Sequence, residues 1–176
     1  MISSAGISRG SLKYLADTGR LDQVSRGVYT LPEVWEDEFV SIQERYKRGV
    51  FALDTALFLH DLTDRTPHKF HMAFPYGYNT SSPKAAGILC SCKKEPYYSL
   101  GIALVDTPAG NTVRAYNAEK TLCEILKPIS HTDIQIITDA FKRYAGRKDK
   151  NIPLLSEYAH QLRVEKRLRP YLEVLL

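Results

Sequence analysis

The chain has 176 residues, 44% of them hydrophobic and 25% charged, so it can bury a core and form one or two domains. No apolar run approaches the roughly 18 residues that a membrane helix needs. The first residues also lack the basic-then-apolar pattern of a secretory signal. We therefore expect a cytoplasmic protein without a membrane partner. The formal net charge of +4 is compatible with nucleic-acid binding, but the positions of the cations matter more than their sum.

The three cysteines do not indicate a disulfide framework, since Cys90 and Cys92 form one C-x-C pair and Cys123 lies far away. Free thiols are the expected state in a reducing compartment. His68 and His71 could join the cysteines around zinc, but the spacing is not that of a familiar four-ligand site. The sequence therefore predicts neither a metal nor a cofactor.

The segment ISRGSLKYLADTGRLDQVSRGVYTL, residues 7–31, combines helix and hairpin signals. Ser8 can cap a helix that extends to about Thr18, and Gly19 follows as its C-cap. A hairpin turn is predicted at Ser25, Arg26 and Gly27, between two short apolar runs. This is the order of a recognition helix followed by a wing.

Cations and hydroxyls are placed along this segment as DNA contacts require. Arg9, Ser11 and Lys13 lie on the polar side of the predicted helix, Arg20 follows it, and Arg26 is at the predicted wing tip. Such side chains donate hydrogen bonds to bases and phosphates. From these residues alone, a solvated helix face with a charged turn remains the alternative.

The middle of the chain alternates between helix and strand signals. A helix is predicted between Pro32 and Gly49, with an acidic start whose carboxylates are expected to be solvated rather than to bind metal. FALDTALFLHDLTDRTP predicts a second helix with Asp54 as a possible cap, and HKFHMAFP predicts a half-buried strand. YGYNTSSPKAAG is predicted to be a loop, where Tyr76 and Tyr78 could stack on a nucleobase or pack locally.

The remainder predicts strands followed by helices. GILCSC and YYSLGIALVDT are expected strands, and VDTPAGNTVRAYN is an expected hairpin. Asn117 should cap the next helix, which Pro128 ends, and three further helical patterns follow, with a break expected at Pro170. The predicted fold class is α+β, with a winged helix-turn-helix and linker helix at 1–48 and a mixed α/β C-terminal domain at 49–176.

No motif supports catalysis. The chain has no P-loop and no G-x-S-x-G elbow, and its five histidines form no recognisable triad. Asp61 and Asp64 lie beside a helix end, where capping and turn roles explain them, and Asp106, Glu119 and Lys120 are similar. We therefore expect a protein that is not an enzyme.

Several segments together resemble a known family. AGISRGSLKYLADTGRLDQVSRGVYTLP, ALFLHDLTDRTP, VDTPAGNTVRAYNAEKTLCEIL, AFKRYA and LRVEKRLRPYLEVLL occur in the order seen in AbiEi-type antitoxins, the antitoxin halves of type IV AbiE abortive-infection systems of phage defence. The resemblance implies a transcriptional regulator whose N-terminal winged helix binds inverted repeats in its own promoter. It also implies a C-terminal domain that counteracts an AbiEii-type nucleotidyltransferase toxin, by direct contact or indirectly.

Carried onto this sequence, the resemblance assigns double-stranded DNA contacts to particular residues. Arg9, Ser11, Lys13 and Tyr14 become base and phosphate readers, and Arg20, Ser25 and Arg26 become flanking and wing contacts. Binding to an inverted repeat implies a homodimer or two adjacent monomers.

One departure from the family concerns the start of the chain. Family members usually carry helices before the segment that matches AGISR, whereas only Met1 to Ala5 precede Gly6 here. Three explanations stay open: the C-terminal domain or a second protomer covers the apolar helix face, the start is internal and the winged helix truncated, or DNA binding is impaired.

Two alternatives to an autorepressor follow from the sequence. One is an interaction module that binds the toxin directly and has lost DNA binding, with LRPYLEVLL as a possible contact surface or a segment packed on its own core. The other, with less support, is an enzyme acting on nucleotides or RNA.

Overall fold

The computed structural model describes residues 14–15, 22–25, 28–30 and 37–175 of the chain. Its fold class is α+β, as predicted. The strands are β1 (Asp22–Ser25), β2 (Val28–Thr30), β3 (Val50–Phe51), β4 (His71–Pro75), β5 (Leu89–Lys93), β6 (Ile102–Asp106) and β7 (Thr112–Tyr116). The helices are α1 (Glu38–Arg45), α2 (Leu53–Leu59), α3 (Ser81–Ala85), α4 (Ala118–Ile125), α5 (Ile134–Ala145), α6 (Ile152–Gln161) and α7 (Glu165–Leu175), with a 3₁₀ turn at Pro128–Ser130.

Two sheets are present in the described part of the chain. β1 and β2 form an antiparallel hairpin, and the other strands form a mixed sheet in the order β5-β4-β3-β7-β6. β3 is antiparallel to β4 and parallel to β7, while β4 and β5 run parallel. The tight β6–β7 hairpin is the predicted one, and Gly110 in its turn adopts φ +80°, which a side chain would disfavour.

α1 covers one face of the mixed sheet. Its Phe39 ring meets Phe51 at 5.5 Å and Phe70 at 4.9 Å between centroids, both edge-on, and it stacks near Phe58. Asp37 caps the helix by accepting from the amides of residues 39 and 40. The acidic start of this helix is thus a capped first turn, as expected.

The C-terminal helices form a separate apolar core around α4. The packed members come from α2, α4, α5, α6 and α7 and include Leu122, Phe141, Tyr144, Leu155 and Leu168. The cap predicted at Asn117 is present, since its side chain accepts from the Lys120 amide, and Gly146 ends α5. Part of the LRPYLEVLL segment packs on this core, because Leu168 is buried and Tyr171 stacks on Phe141 at 4.3 Å.

Tertiary packing overturns four local predictions. β4 is not half-buried: Met72, Ala73 and Phe74 are all fully covered, because β3 and β5 flank the strand and apolar clusters occupy both faces. Asp54 lies inside the first turn of α2 rather than at the cap, which is Ala52. The predicted loop after β4 contains α3, and the YYSL part of a predicted strand forms turns.

Two features of the C-terminal helices differ from what the sequence pattern indicates: the exposure of Ile134 and the continuity of α7 through Pro170. Ile134 matches the apolar spacing of α5 but is 64% exposed, since it occupies the first helical position beyond the core. α7 continues through Pro170, whose ring lies on the exposed face while Leu168 and Tyr171 hold the helix on the core. No helix in residues 37–175 is long and apolar enough to span a membrane.

Candidate functional site

The predicted DNA-binding segment is described in part. Tyr14 and Leu15 are helical, and the Tyr14 side chain is 67% exposed. Ser25 ends β1 and pairs with Val28, so it belongs to the strand rather than to the turn. The other predicted contacts, Arg9, Ser11, Lys13, Arg20 and Arg26, lie outside the described residues.

A short antiparallel hairpin follows the helical residues along the chain. Asp22 pairs with Thr30 and Gln23 pairs with Tyr29, and the register is irregular between Gln23 and Ser25. Such an irregularity increases the local twist of a hairpin. Helical residues thus precede a short antiparallel hairpin, and the winged helix itself stays a prediction.

α1 connects this hairpin to the mixed sheet, because β1 lies against α1. Asp37 accepts hydrogen bonds from Thr107 and, at 3.1 Å, from Asn111 in the β6–β7 turn. Gln43 accepts from the Arg114 amide at 3.0 Å and donates to the Gly49 carbonyl at 3.0 Å. These bonds attach both ends of α1 to the sheet. The domain boundary that the sequence predicts between residues 48 and 49 stays a prediction.

A buried charged cluster lies between α4 and the sheet, and the sequence pattern did not reveal it. The Lys120 Nζ donates to the carbonyls of Tyr97 and Leu100, each at 2.6 Å, and lies 3.9 Å from Glu124. The same ammonium is 3.3 Å from the centroid of the Tyr116 ring. Lys93 donates to Glu124 from the neighbouring strand. Desolvation lowers the pKa of Lys120 to about 7, against the opposing attraction of Glu124.

This cluster is structural, because Lys120 has no exposed surface that a ligand could reach. It attaches the loop between β5 and β6 to α4 through two carbonyls. The signal that could have identified it is the i, i+4 pair Lys120 and Glu124, surrounded by apolar residues of the same helix. The capping or turn role predicted for Lys120 is wrong, because its side chain is fully buried between α4 and the sheet.

The remaining predicted candidates for chemistry are held apart in structural contacts. Glu119 accepts from the Tyr144 hydroxyl at 2.8 Å, and Asp64 lies 3.3 Å from Arg143 at the surface. His60 Nε2 is 2.7 Å from the Tyr116 carbonyl, and burial lowers the pKa of this histidine. Within the described ranges, no three His, Cys, Asp or Glu side chains are arranged to hold a metal ion.

Comparison with known families bears on the N-terminal segment. The family described as "Transcriptional regulator, AbiEi antitoxin" matches residues 1–32. The start of this chain is AbiEi-like. The match includes every residue that we predicted to contact DNA, and it supports a transcriptional-regulator antitoxin in general. The resemblance of the later segments to AbiEi proteins stays a prediction.

A solved structure is similar in fold to most of this chain. The crystal structure of the RV2827C protein from Mycobacterium tuberculosis is similar with a TM-score of 0.52 and 15% identity, over 98% of this chain and 72% of that one. At this identity the likeness concerns the fold alone. No curated protein matches the sequence.

Proposed function

We propose that this chain is the antitoxin of an AbiE-like system, that it represses its own operon by binding inverted repeats in the promoter, and that it counteracts a nucleotidyltransferase toxin. The observation that carries the proposal is the AbiEi match over residues 1–32. That match falls on helical residues followed by an antiparallel hairpin. The proposed place of action is the cytoplasm, where promoter DNA is accessible.

The proposed division of labour on DNA follows from side-chain chemistry. Arg9, Ser11, Lys13 and Tyr14 would read bases and phosphates from the helix, because their long or hydroxylated side chains reach groove edges. Arg20 and Ser25 would contact the flanking backbone, and Arg26 would contact phosphates from the wing. A homodimer or paired monomers would match the symmetry of an inverted repeat.

A gel-shift experiment on the DNA upstream of the gene tests this proposal. Specific binding should weaken steeply as salt rises, with a log–log slope of about −0.9 per phosphate contact. The same assay should include the chain extended to any upstream in-frame start, since the expected supporting helices would lie there. Scrambled DNA of equal length is the control. If both chains are folded and neither binds the promoter preferentially, the autorepressor proposal fails.

The antitoxin half of the proposal is tested separately. Co-expression with the adjacent nucleotidyltransferase should restore growth, and co-elution of the two proteins at micromolar concentration distinguishes direct from indirect neutralisation. A chain that protects cells but does not bind the promoter would support the alternative of an interaction module. A chain that does neither would overturn the antitoxin proposal.

A further inference from the structure

Three connections of the mixed sheet meet at the end where β4 and β5 finish. The Tyr46–Gly49 turn enters β3, whose Val50 pairs antiparallel with Ala73. The chain leaving β4 bonds to the chain leaving β5, since the Tyr76 amide donates to the Lys93 carbonyl at 2.8 Å. The Tyr98 hydroxyl donates to the Arg48 carbonyl at 2.5 Å and attaches the third connection. The sequence separates these segments, and the sheet brings them together.

Two tyrosine rings on this surface each have a cation beside them. Tyr76 is 71% exposed, and the Lys94 Nζ lies 4.9 Å from its ring centroid. Tyr78 is half-buried, stacks on Phe74 at 4.5 Å, and has the Arg48 guanidinium 5.9 Å from its ring. We name Arg48, Tyr76, Tyr78 and Lys94, with the exposed Arg45 and Lys47 that precede Arg48 in the sequence, the tyrosine–cation surface.

The two tyrosines of this surface have different roles. Tyr78 is fixed by its own stacking on Phe74, so it supplies a rigid support. Tyr76 follows the strand end directly and precedes Gly77, which adopts φ +82° in the turn. Its backbone is therefore fixed by the Lys93 bond and the turn, while most of its ring remains in solvent. A ring held out on a fixed backbone can stack on a planar group with little loss of conformational freedom.

The charge of the surface selects an anionic partner. Three cations, Lys47, Arg48 and Lys94, lie on the described connections, and Arg45 is the last residue of α1. The acidic residues beside them are Glu44, which is 3.8 Å from Lys47, and Glu95, which accepts from Ser99. Phosphates would satisfy the cations, and bases would stack on the exposed ring. A duplex presents phosphates but keeps its base faces stacked internally, so it leaves Tyr76 unused.

We propose that the tyrosine–cation surface binds single-stranded nucleic acid, with Tyr76 stacking on a base and Arg48 and Lys94 contacting the adjacent phosphates. The surface lies at one end of the mixed sheet and contains no residue of 1–32, so this binding does not rest on the proposed promoter recognition. It is a second binding activity of the same chain. A base that is already unpaired pays no unpairing cost, and the surface therefore prefers single strands to duplexes.

Fluorescence anisotropy of the full chain with labelled oligouridine and oligothymidine of about 12 nucleotides tests the proposal. Tyr76→Ala should weaken binding about tenfold, because one stacking contact is lost. Tyr76→Phe should keep it, since the ring remains. Lys94→Ala should weaken binding and reduce its salt dependence by about one phosphate contact. Leu104→Ala, at a 74% exposed position on β6 at the far edge of the sheet, is the matched control and should bind like the unaltered chain.

A chain altered at both Arg9 and Arg26 separates this surface from the proposed wing. That variant should lose promoter binding and keep single-strand binding. The inference is overturned if Tyr76→Ala, folded by circular dichroism, binds as well as the unaltered chain. It is also overturned if the Arg9 and Arg26 changes abolish single-strand binding, or if a duplex of equal length competes as well as the single strand. None of these results would by itself remove the promoter proposal.

Discussion

Lys120 has no exposed surface, although an ammonium is among the most costly groups to remove from water. The cost is offset by two carbonyl acceptors, the Tyr116 ring and Glu124. We expect Lys120→Met to lower the free energy of unfolding by about 3 kcal/mol, because the carbonyls lose their donor and Glu124 loses one of its two cations. Urea denaturation at neutral pH measures the change.

The matched control for that variant is Lys166→Met, at an exposed position of α7. Substitutions at such positions usually change stability by less than about 0.5 kcal/mol. Equal unfolding midpoints for the two methionine variants would show that the Lys120 contacts contribute no net stability.

His60 should make the fold sensitive to acid. Burial lowers its pKa below the ordinary value of 6.5, and its Nε2 lies 2.7 Å from the Tyr116 carbonyl, where the neutral ring can donate. The unfolded chain therefore binds this proton at a higher pH than the folded chain does. The stabilisation that comes from keeping His60 neutral is fully present above pH 6.5. It is lost as pH falls below 6.5, by at most about 1.4 kcal/mol per pH unit for one histidine.

The measurement is the free energy of unfolding at about pH 7.5 and pH 5.5, on either side of the ordinary histidine pKa. His60→Gln can still donate to the carbonyl and should lose less stability on acidification than the unaltered chain. His160→Gln is the control, because this side chain is 79% exposed. The pKa of His71 is also lowered by burial, so part of the acid sensitivity should remain in the His60 variant. Identical pH slopes for all three chains would contradict the assignment to His60.

At the scale of elements, the stability of α1 depends on the carboxylate of Asp37. Asp37 caps the helix and also accepts hydrogen bonds from the β6–β7 turn. Asp37→Ala should destabilise the chain by about 1–2 kcal/mol, and Asp37→Asn should retain most of the stability because an amide oxygen also caps. Hydrogen exchange of the α1 amides should rise most in the alanine variant, and Glu38→Ala is the neighbouring control. Unchanged exchange in Asp37→Ala would show that the ring contacts of Phe39 alone hold the helix.

The elements that sequence predicted well carry their own local signals. Asn117 caps α4, Gly110 occupies the left-handed turn of the β6–β7 hairpin, and Gly146 ends α5, each through contacts within a few residues. The predictions that failed depended on neighbours far along the chain. β4 has period-2 apolar residues, yet it is buried on both faces because apolar clusters from distant parts of the chain pack on each side of the sheet.

The same distinction applies to the candidate sites. The AbiEi-like segment could be found because its helix and hairpin signals lie within one continuous stretch of sequence. The tyrosine–cation surface could not, and the Lys120 cluster left only the i, i+4 pair as a local signal, since each combines groups from separate elements of the fold. The sequence predicts that Tyr76 and Tyr78 could stack on bases, but only the folded structure shows that Arg48 and Lys94 lie beside their rings.

At the scale of the whole molecule, the chain should separate promoter recognition from protection against the toxin. We expect a variant with Arg9→Ala and Arg26→Ala to lose promoter binding, because both cations lie in the AbiEi-like segment and would serve DNA alone. The mixed sheet and the α4 core would be unaffected, so the variant should keep its unfolding midpoint and still restore growth to cells that express the toxin. The readouts are a promoter gel-shift, a urea titration and a growth assay on the same protein. Lys142→Ala with Lys166→Ala, at exposed helix positions, is the control for removing two charges. Loss of protection together with loss of promoter binding, in a chain that remains folded, would show that the two activities share one surface and would contradict their separation.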